Sequence, residues 1–190
     1  VYSMVLLISS FSLPLAVSKL VSARMAAGQP KAAYKIFKCT LTFALVSGGI
    51  GALLIFFGAG FFSDVLVNTP ESKLALQVLA PTILVVAVMG CMRGYFQGLG
   101  TMVPTAVSQI VEQIINAAVS IGAAYVLFHY GLKIDAVLGT KTAAYAYGAA
   151  GSTLGTGLGA LSGLLFLAFL VAAYRHVMRR KMAVSREERR

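Results

Sequence analysis

Ser108, Glu112, Asn116 and Ser120 recur every four residues, and Gln109 and Gln113 form an adjacent row. On a helix, four-residue spacing stacks side chains on one face. Pro104 suits a first helical turn, where its missing N–H costs nothing. Glu112, eight residues later, would then lie about 12 Å along the helix at 1.5 Å per residue. Carboxamides, hydroxyls and one carboxylate on one stripe can either line a hydrated path or clamp helices together. Arg93 is the natural counter-charge for Glu112, because the Gly98-Leu99-Gly100 turn would fold the two flanking helices side by side. An ion pair or a shared hydrated cavity is expected, with Gln97 one turn beyond Arg93. Lys19 interrupts an apolar run after Pro14. It either snorkels to headgroups or faces a cavity, where it could meet a phosphate or carboxylate.

Other residues offer less chemistry. Gly151, Gly155, Gly159 and Gly163 make a small-residue ridge suited to close helix packing. Gly155-Thr156-Gly157 is no phosphate loop, since no Gly-Lys-Ser/Thr follows and no strand precedes it. Cys39 and Cys91 lie in or beside apolar runs without metal-ligand spacing, so a metal is not expected. Only six acidic residues are present, and His129 and His176 are expected near opposite membrane faces, where they cannot easily form one site. No catalytic constellation can be assembled, so an enzyme is not expected.

The elements that must position these residues follow from composition. The 190 residues are 58% hydrophobic and 12% charged, with mean hydropathy +0.84. A soluble domain carries about 25% charged residues, so lipid is the implied solvent. Uncharged stretches run over 1–18, 39–63, 74–92, 113–132 and 142–174, close to the roughly 20 residues a membrane helix needs. The expected architecture is an all-α polytopic transmembrane bundle of about five helices, near 1–27, 37–63, 73–97, 104–129 and 144–176. A basic tail would occupy 177–190. Gly28-Gln29-Pro30, Asn68-Thr69-Pro70 and Tyr130-Gly131 supply further breaks. Of 16 Lys and Arg, only Lys73, Lys133 and Lys141 fall on one side of this arrangement. The crowded side, with the tail, is therefore expected to be cytoplasmic. The net charge of +10 is explained by that asymmetry, and nucleic acid is not an expected partner. Val1 offers no signal-peptide n-region, and the chain reads as a fragment that starts inside a helix at the outer face.

Arg93-Gly-Tyr-Phe-Gln-Gly98 and Met102-Val-Pro-Thr-Ala-Val-Ser-Gln-Ile-Val-Glu-Gln113 resemble a signature of bacterial polysaccharide-transporter proteins. The resemblance is to the stage V sporulation protein B and Gram-positive lipid II flippase type. Leu13-Pro-Leu-Ala-Val-Ser-Lys-Leu-Val21 is similar to that group's second helix, whereas 130–190 matches in helix pattern only. The group belongs to the multidrug/oligosaccharidyl-lipid/polysaccharide flippase superfamily, whose members have two helical lobes around a central cavity and work by alternating access. The resemblance implies helices two to six of the N-terminal lobe, with the first helix and the C-terminal lobe as missing partners. It implies a flippase in the bacterial cytoplasmic membrane that moves lipid-linked oligosaccharide, peptidoglycan or polysaccharide precursors for the cell wall. Lys19 and Arg93 would attract the substrate pyrophosphate, while Gln97, Gln109, Glu112, Gln113 and Asn116 would line or stabilise the path. Membrane lipids would bathe the helices. No cofactor is expected, and energy would come from an ion gradient, the membrane potential or downstream consumption. The competing expectations are a cation-coupled multidrug exporter, a non-transporting scaffold using the glycine ridge as its contact face, and, more weakly, an integral-membrane transferase.

Overall fold

The structure, a computed structural model, describes the backbone of residues 2–61, 72–139 and 142–187, with side chains over 14–61, 73–137 and 142–173. Five helices make up these residues: α1 (Tyr2–Ala26), α2 (Pro30–Phe61), α3 (Ser72–Gly98), α4 (Val103–Leu138) and α5 (Ala143–Glu187). The expected break at Asn68-Thr69-Pro70 lies outside the described residues. So do the side chains of Lys141, His176 and the arginines from Arg175 onward.

Two hairpins are closed by the same chemistry. Gly28 adopts φ 67° and Gly100 φ 83°, a left-handed conformation that glycine enters without strain. After α1, the Gln29 N–H donates to the Arg24 carbonyl (2.9 Å) and the Gly28 N–H to Met25 (3.0 Å). After α3, Thr101 donates to Phe96 (3.2 Å) and Gly100 to Gln97 (3.0 Å). These paired bonds satisfy carbonyls that a helix end would otherwise leave open. Pro30 and Pro104 then start α2 and α4 where a missing N–H is harmless.

Three helix ends differ from expectation. Residue 30, not 37, begins α2, because Ala33 and Phe37 continue its buried face through the lysine-bearing turns. Gly131 does not stop α4. It admits the backbone of α5 instead, since a Cβ there would lie 2.5 Å from Ala144 Cα. The stop comes at Gly139, with φ 68° and its N–H on the Asp135 carbonyl. The last helix runs on through the basic residues to Glu187.

The hub is α3, which packs on α1, α2 and α5, whereas α4 lies along α5 and meets α3 only sparsely. Against α1, the glycines of α3 set the distance: a Cβ at Gly94 would sit 2.5 Å from the Pro14 carbonyl oxygen, and one at Gly98 2.8 Å from that of Ser18. Val17, Val21, Ala33, Phe37, Ala44, Cys91 and Tyr95 form the core of the α1–α2–α3 unit. Phe37 and Tyr95 rings stack at 4.4 Å. Met89, Phe96, Ala160 and Leu167 join α3 to α5.

The outer faces are apolar. Phe57 is 80% exposed and Ile121 74%, an arrangement suited to lipid and not to water. Among the described residues, α2, α3, α4 and α5 are long and apolar enough to cross a membrane. The chain is thus an all-α polytopic bundle. Aromatic rings gather toward the α4–α5 turn, where Tyr125 meets His129 at 4.5 Å and Phe128 meets Tyr145 at 6.1 Å. Tyrosine enrichment of this kind belongs to a membrane–water interface.

Candidate functional site

Arg93 projects from α3 toward α4, across the gap that the Gly100 turn leaves between them. Its Nη2 donates to Glu112 Oε2 at 2.6 Å, and its Nε donates to Ser108 Oγ at 3.1 Å. Ser108 Oγ in turn donates to the Thr105 carbonyl at 2.7 Å. The two charged side chains are only 14% and 18% exposed. Removing charges from water is expensive, and close pairing with further hydrogen bonds offsets that cost. The guanidinium uses two edges, so it binds the face of α4 and not a single atom. Thr105 Oγ1, buried at the foot of this network, has no hydrogen-bond partner among the described residues.

The remaining polar row continues up α4. Ser120 Oγ lies 2.9 Å from both Asn116 Oδ1 and the Ser152 carbonyl. Each member of the row backs onto a glycine of α5. A Cβ at Gly159 would lie 2.8 Å from both Asn116 Cβ and the Glu112 carbonyl oxygen. One at Gly155 would fall on Ser120, and one at Gly151 would lie 2.6 Å from the Ala123 carbonyl oxygen. A Cβ at Gly163 would lie 3.1 Å from Met89 Sδ and 3.5 Å from Glu112 Cβ. The stripe of polar side chains and the glycine ridge are therefore two halves of one seam. Because α4 fills the ridge, it offers no free face to a partner protein.

Gln109 and Gln113 are exposed on α4, on the flank of this seam. Gln97 is half-buried, one turn past Arg93. Lys19 is exposed on α1 and makes no ion pair with a described residue. The structure thus brings Arg93, Ser108, Glu112, Asn116 and Ser120 into one seam with the glycines, and leaves Lys19 apart from it. Ser108 was visible as part of a spacing, yet its role as acceptor for Arg93 was not. The α1-facing glycines Gly94 and Gly98 carried a signal in their own four-residue spacing. Among the described residues, no group of acidic, histidine or cysteine side chains could hold a metal.

The family model described as "Polysaccharide biosynthesis protein" matches residues 1–186. Stage V sporulation protein B of Bacillus subtilis (strain 168) is 29% identical over 160 residues, covering 84% of this chain and 28% of that protein. Lipid II flippase MurJ of the same organism is 31% identical over 161 residues, covering 79% of this chain and 29% of that protein. The chain spans less than a third of the length of these curated relatives. No solved structure matches it significantly.

Proposed function

Because the chain belongs to the polysaccharide biosynthesis protein family, we propose that it forms part of a flippase for lipid-linked saccharide precursors of the cell wall or of surface polysaccharide. The relative named as a lipid II flippase supports this substrate class. The observation that carries the reading is the Arg93–Glu112 pair, a nearly buried cation and anion held among apolar helices. Charged groups at membrane depth are costly and mark pathways or the switches beside them.

A lipid-linked sugar diphosphate must take its anionic headgroup across about 30 Å of hydrocarbon, while its prenyl tail stays in lipid. Lys19, exposed and free of an ion pair with any described residue, supplies attraction for that headgroup. Arg93 is neutralised by Glu112 at rest, so its part is to hold α3 to α4 and to exchange its carboxylate for a substrate phosphate during passage. Gln97, Gln109 and Gln113 offer amides along the same flank. The chain acts without covalent chemistry, alternating between outward and inward access as one portion of a larger two-lobed transporter. In this reading α1 to α5 are helices two to six of one lobe, the protein is a multi-pass protein of the bacterial cytoplasmic membrane, and the basic end of α5 lies in the cytoplasm. An ion gradient or the membrane potential supplies the drive. A cation-coupled drug exporter would call for a carboxylate free to bind its cation, and Glu112 is occupied by Arg93.

The test is translocation of a fluorescent lipid-linked saccharide in proteoliposomes by the whole protein that carries this segment. Arg93→Ala is expected to slow flipping severely, and Lys19→Ala to slow it at sub-saturating substrate. Unchanged rates in both variants, with the proteins folded, reject the assignment.

A further inference from the structure

Residues 1–63 contain no Asp or Glu, yet they carry Lys19, Arg24, Lys31, Lys35 and Lys38. Three of these cations sit on the first turns of α2. Their spacing of four and three places Lys31, Lys35 and Lys38 on one helical face, and all three are exposed. The opposite face holds Ala33 and Phe37, buried in the core. No acidic residue occupies the first turn of α2, where the helix dipole favours one. Like charges at these intervals repel, and the positive end of the helix adds to the repulsion. Such a face calls for an external anion.

The bilayer geometry identifies that anion. Lys38 is the last charge before the uncharged stretch 39–63, so it stands at the border of the hydrocarbon. Lys31 is seven residues earlier, about 10 Å farther out at 1.5 Å per residue. That span is comparable to the roughly 5–8 Å of headgroup on each side of a bilayer. The helix beneath this face is anchored in the core through Ala33 and Phe37. Lys38 Nζ lies 5.3 Å from the centre of the Tyr34 ring, whose neighbour Phe37 packs on Tyr95. Arg24 Nη1 reaches Gln29 Oε1 at 3.5 Å and braces the turn beside it. An open row of ammonium groups at headgroup depth suits a layer of phosphates, not one enclosed small anion.

We propose that the first turns of α2 bind anionic phospholipid headgroups through Lys31, Lys35 and Lys38. This surface is separate from the polar seam, and it does not depend on the transport reading.

The experiment uses the full chain in neutral detergent micelles and follows binding and melting as phosphatidylglycerol or phosphatidylcholine is added. The wild type should bind phosphatidylglycerol preferentially and melt at a higher temperature with it. K31Q/K35Q/K38Q should weaken that preference about tenfold or more, since each basic residue near an anionic surface contributes appreciably. K31R/K35R/K38R and K133Q, which alters the far end of α4, should keep it. Inorganic phosphate should not displace the lipid. Retained preference in the triple glutamine variant overturns the proposal, and so does equal competition by inorganic phosphate, which would mark a site for a free anion. If the triple glutamine variant does not fold, ionic strength decides: a wild-type preference that survives high salt overturns the proposal, because screening must weaken a charge-based contact. Lipid preference is read without any flipping, so its loss leaves the transport reading standing.

Discussion

Ser120 of α4 rests directly on Gly155 of α5, leaving no room for a side chain at position 155. The contact repeats a turn away, where Gly159 meets Asn116 and Glu112, and again where Gly151 meets Ala123. In lipid there is no hydrophobic drive to bring two apolar helices together, so close backbone approach and interhelical hydrogen bonds do that work. The Ser120 hydroxyl reaches the Ser152 carbonyl at 2.9 Å only because the glycines let α5 come so near.

Gly155→Ala is therefore expected to destabilise the chain by about 1–3 kcal/mol, the usual range for overpacking. Gly122→Ala is the matched control. Gly122 lies in α4, the other helix of the seam, but a Cβ there meets nothing within 4 Å. Alanine is the better helix former, by about 1 kcal/mol, so Gly122→Ala should leave the melting temperature level or raise it. Thermal melts in detergent distinguish the two.

Arg93 and Glu112 should behave as one unit. Arg93→Ala leaves a carboxylate nearly buried without its cation, and Glu112→Ala leaves the cation without its carboxylate. Each is expected to cost about 3–5 kcal/mol. The double substitution should cost clearly less than the sum, giving a coupling energy of about 0.5–3 kcal/mol. Additive losses in denaturant or thermal unfolding would mean that the 2.6 Å contact does not bind the two helices.

Much of this is legible in the sequence. Charge-free runs of bilayer length gave the helix count, and the Gly-Pro turns at 28–30 and 100–104 gave two of the hairpins. The Arg93–Glu112 contact followed from a short turn and one counter-charge on each side of it. The seam was not legible, although both halves were. Periodicity places the polar row on one face of α4 and the glycines on one face of α5, but says nothing about which faces meet. Gly131 misled for a related reason. A glycine that ends a helix and a glycine that admits a neighbouring backbone look the same in sequence, and only the position of Ala144 separates them.

Asp135 fastens the other end of the seam. Its Oδ1 accepts from the Ala143 N–H at 3.0 Å and its Oδ2 from the Ala144 N–H at 2.9 Å, so it caps α5 from the last turn of α4. Asp135→Ala exposes both amides and should cost about 0.5–2 kcal/mol, as other N-caps do. Asp135→Asn keeps one acceptor oxygen but turns an amide donor toward a backbone donor, so its loss should be nearly as large. Hydrogen exchange at Ala143 and Ala144 is the local measurement, and faster exchange at both positions is expected in each variant.

Lys19 and Arg93 carry the same charge, yet they should fail in different ways. Arg93 is nearly buried and bonded to Glu112 and Ser108, so Arg93→Ala disturbs both the fold and any path beside it. Lys19 is exposed and forms no ion pair with a described residue, so its removal takes away little structure. A surface substitution of this kind usually stays within about 0.5 kcal/mol. Under the proposed function it would remove a positive charge, unpaired among the described residues, that attracts the anionic headgroup. Lys19→Ala should therefore leave the melting temperature unchanged while raising the substrate concentration needed for half-maximal flipping, and high salt should reduce the wild type toward the variant. Lys19→Arg should restore most of the lost affinity. A Lys19→Ala protein that melts early with normal affinity would place this lysine among the structural residues and would reject its proposed part in attracting a headgroup.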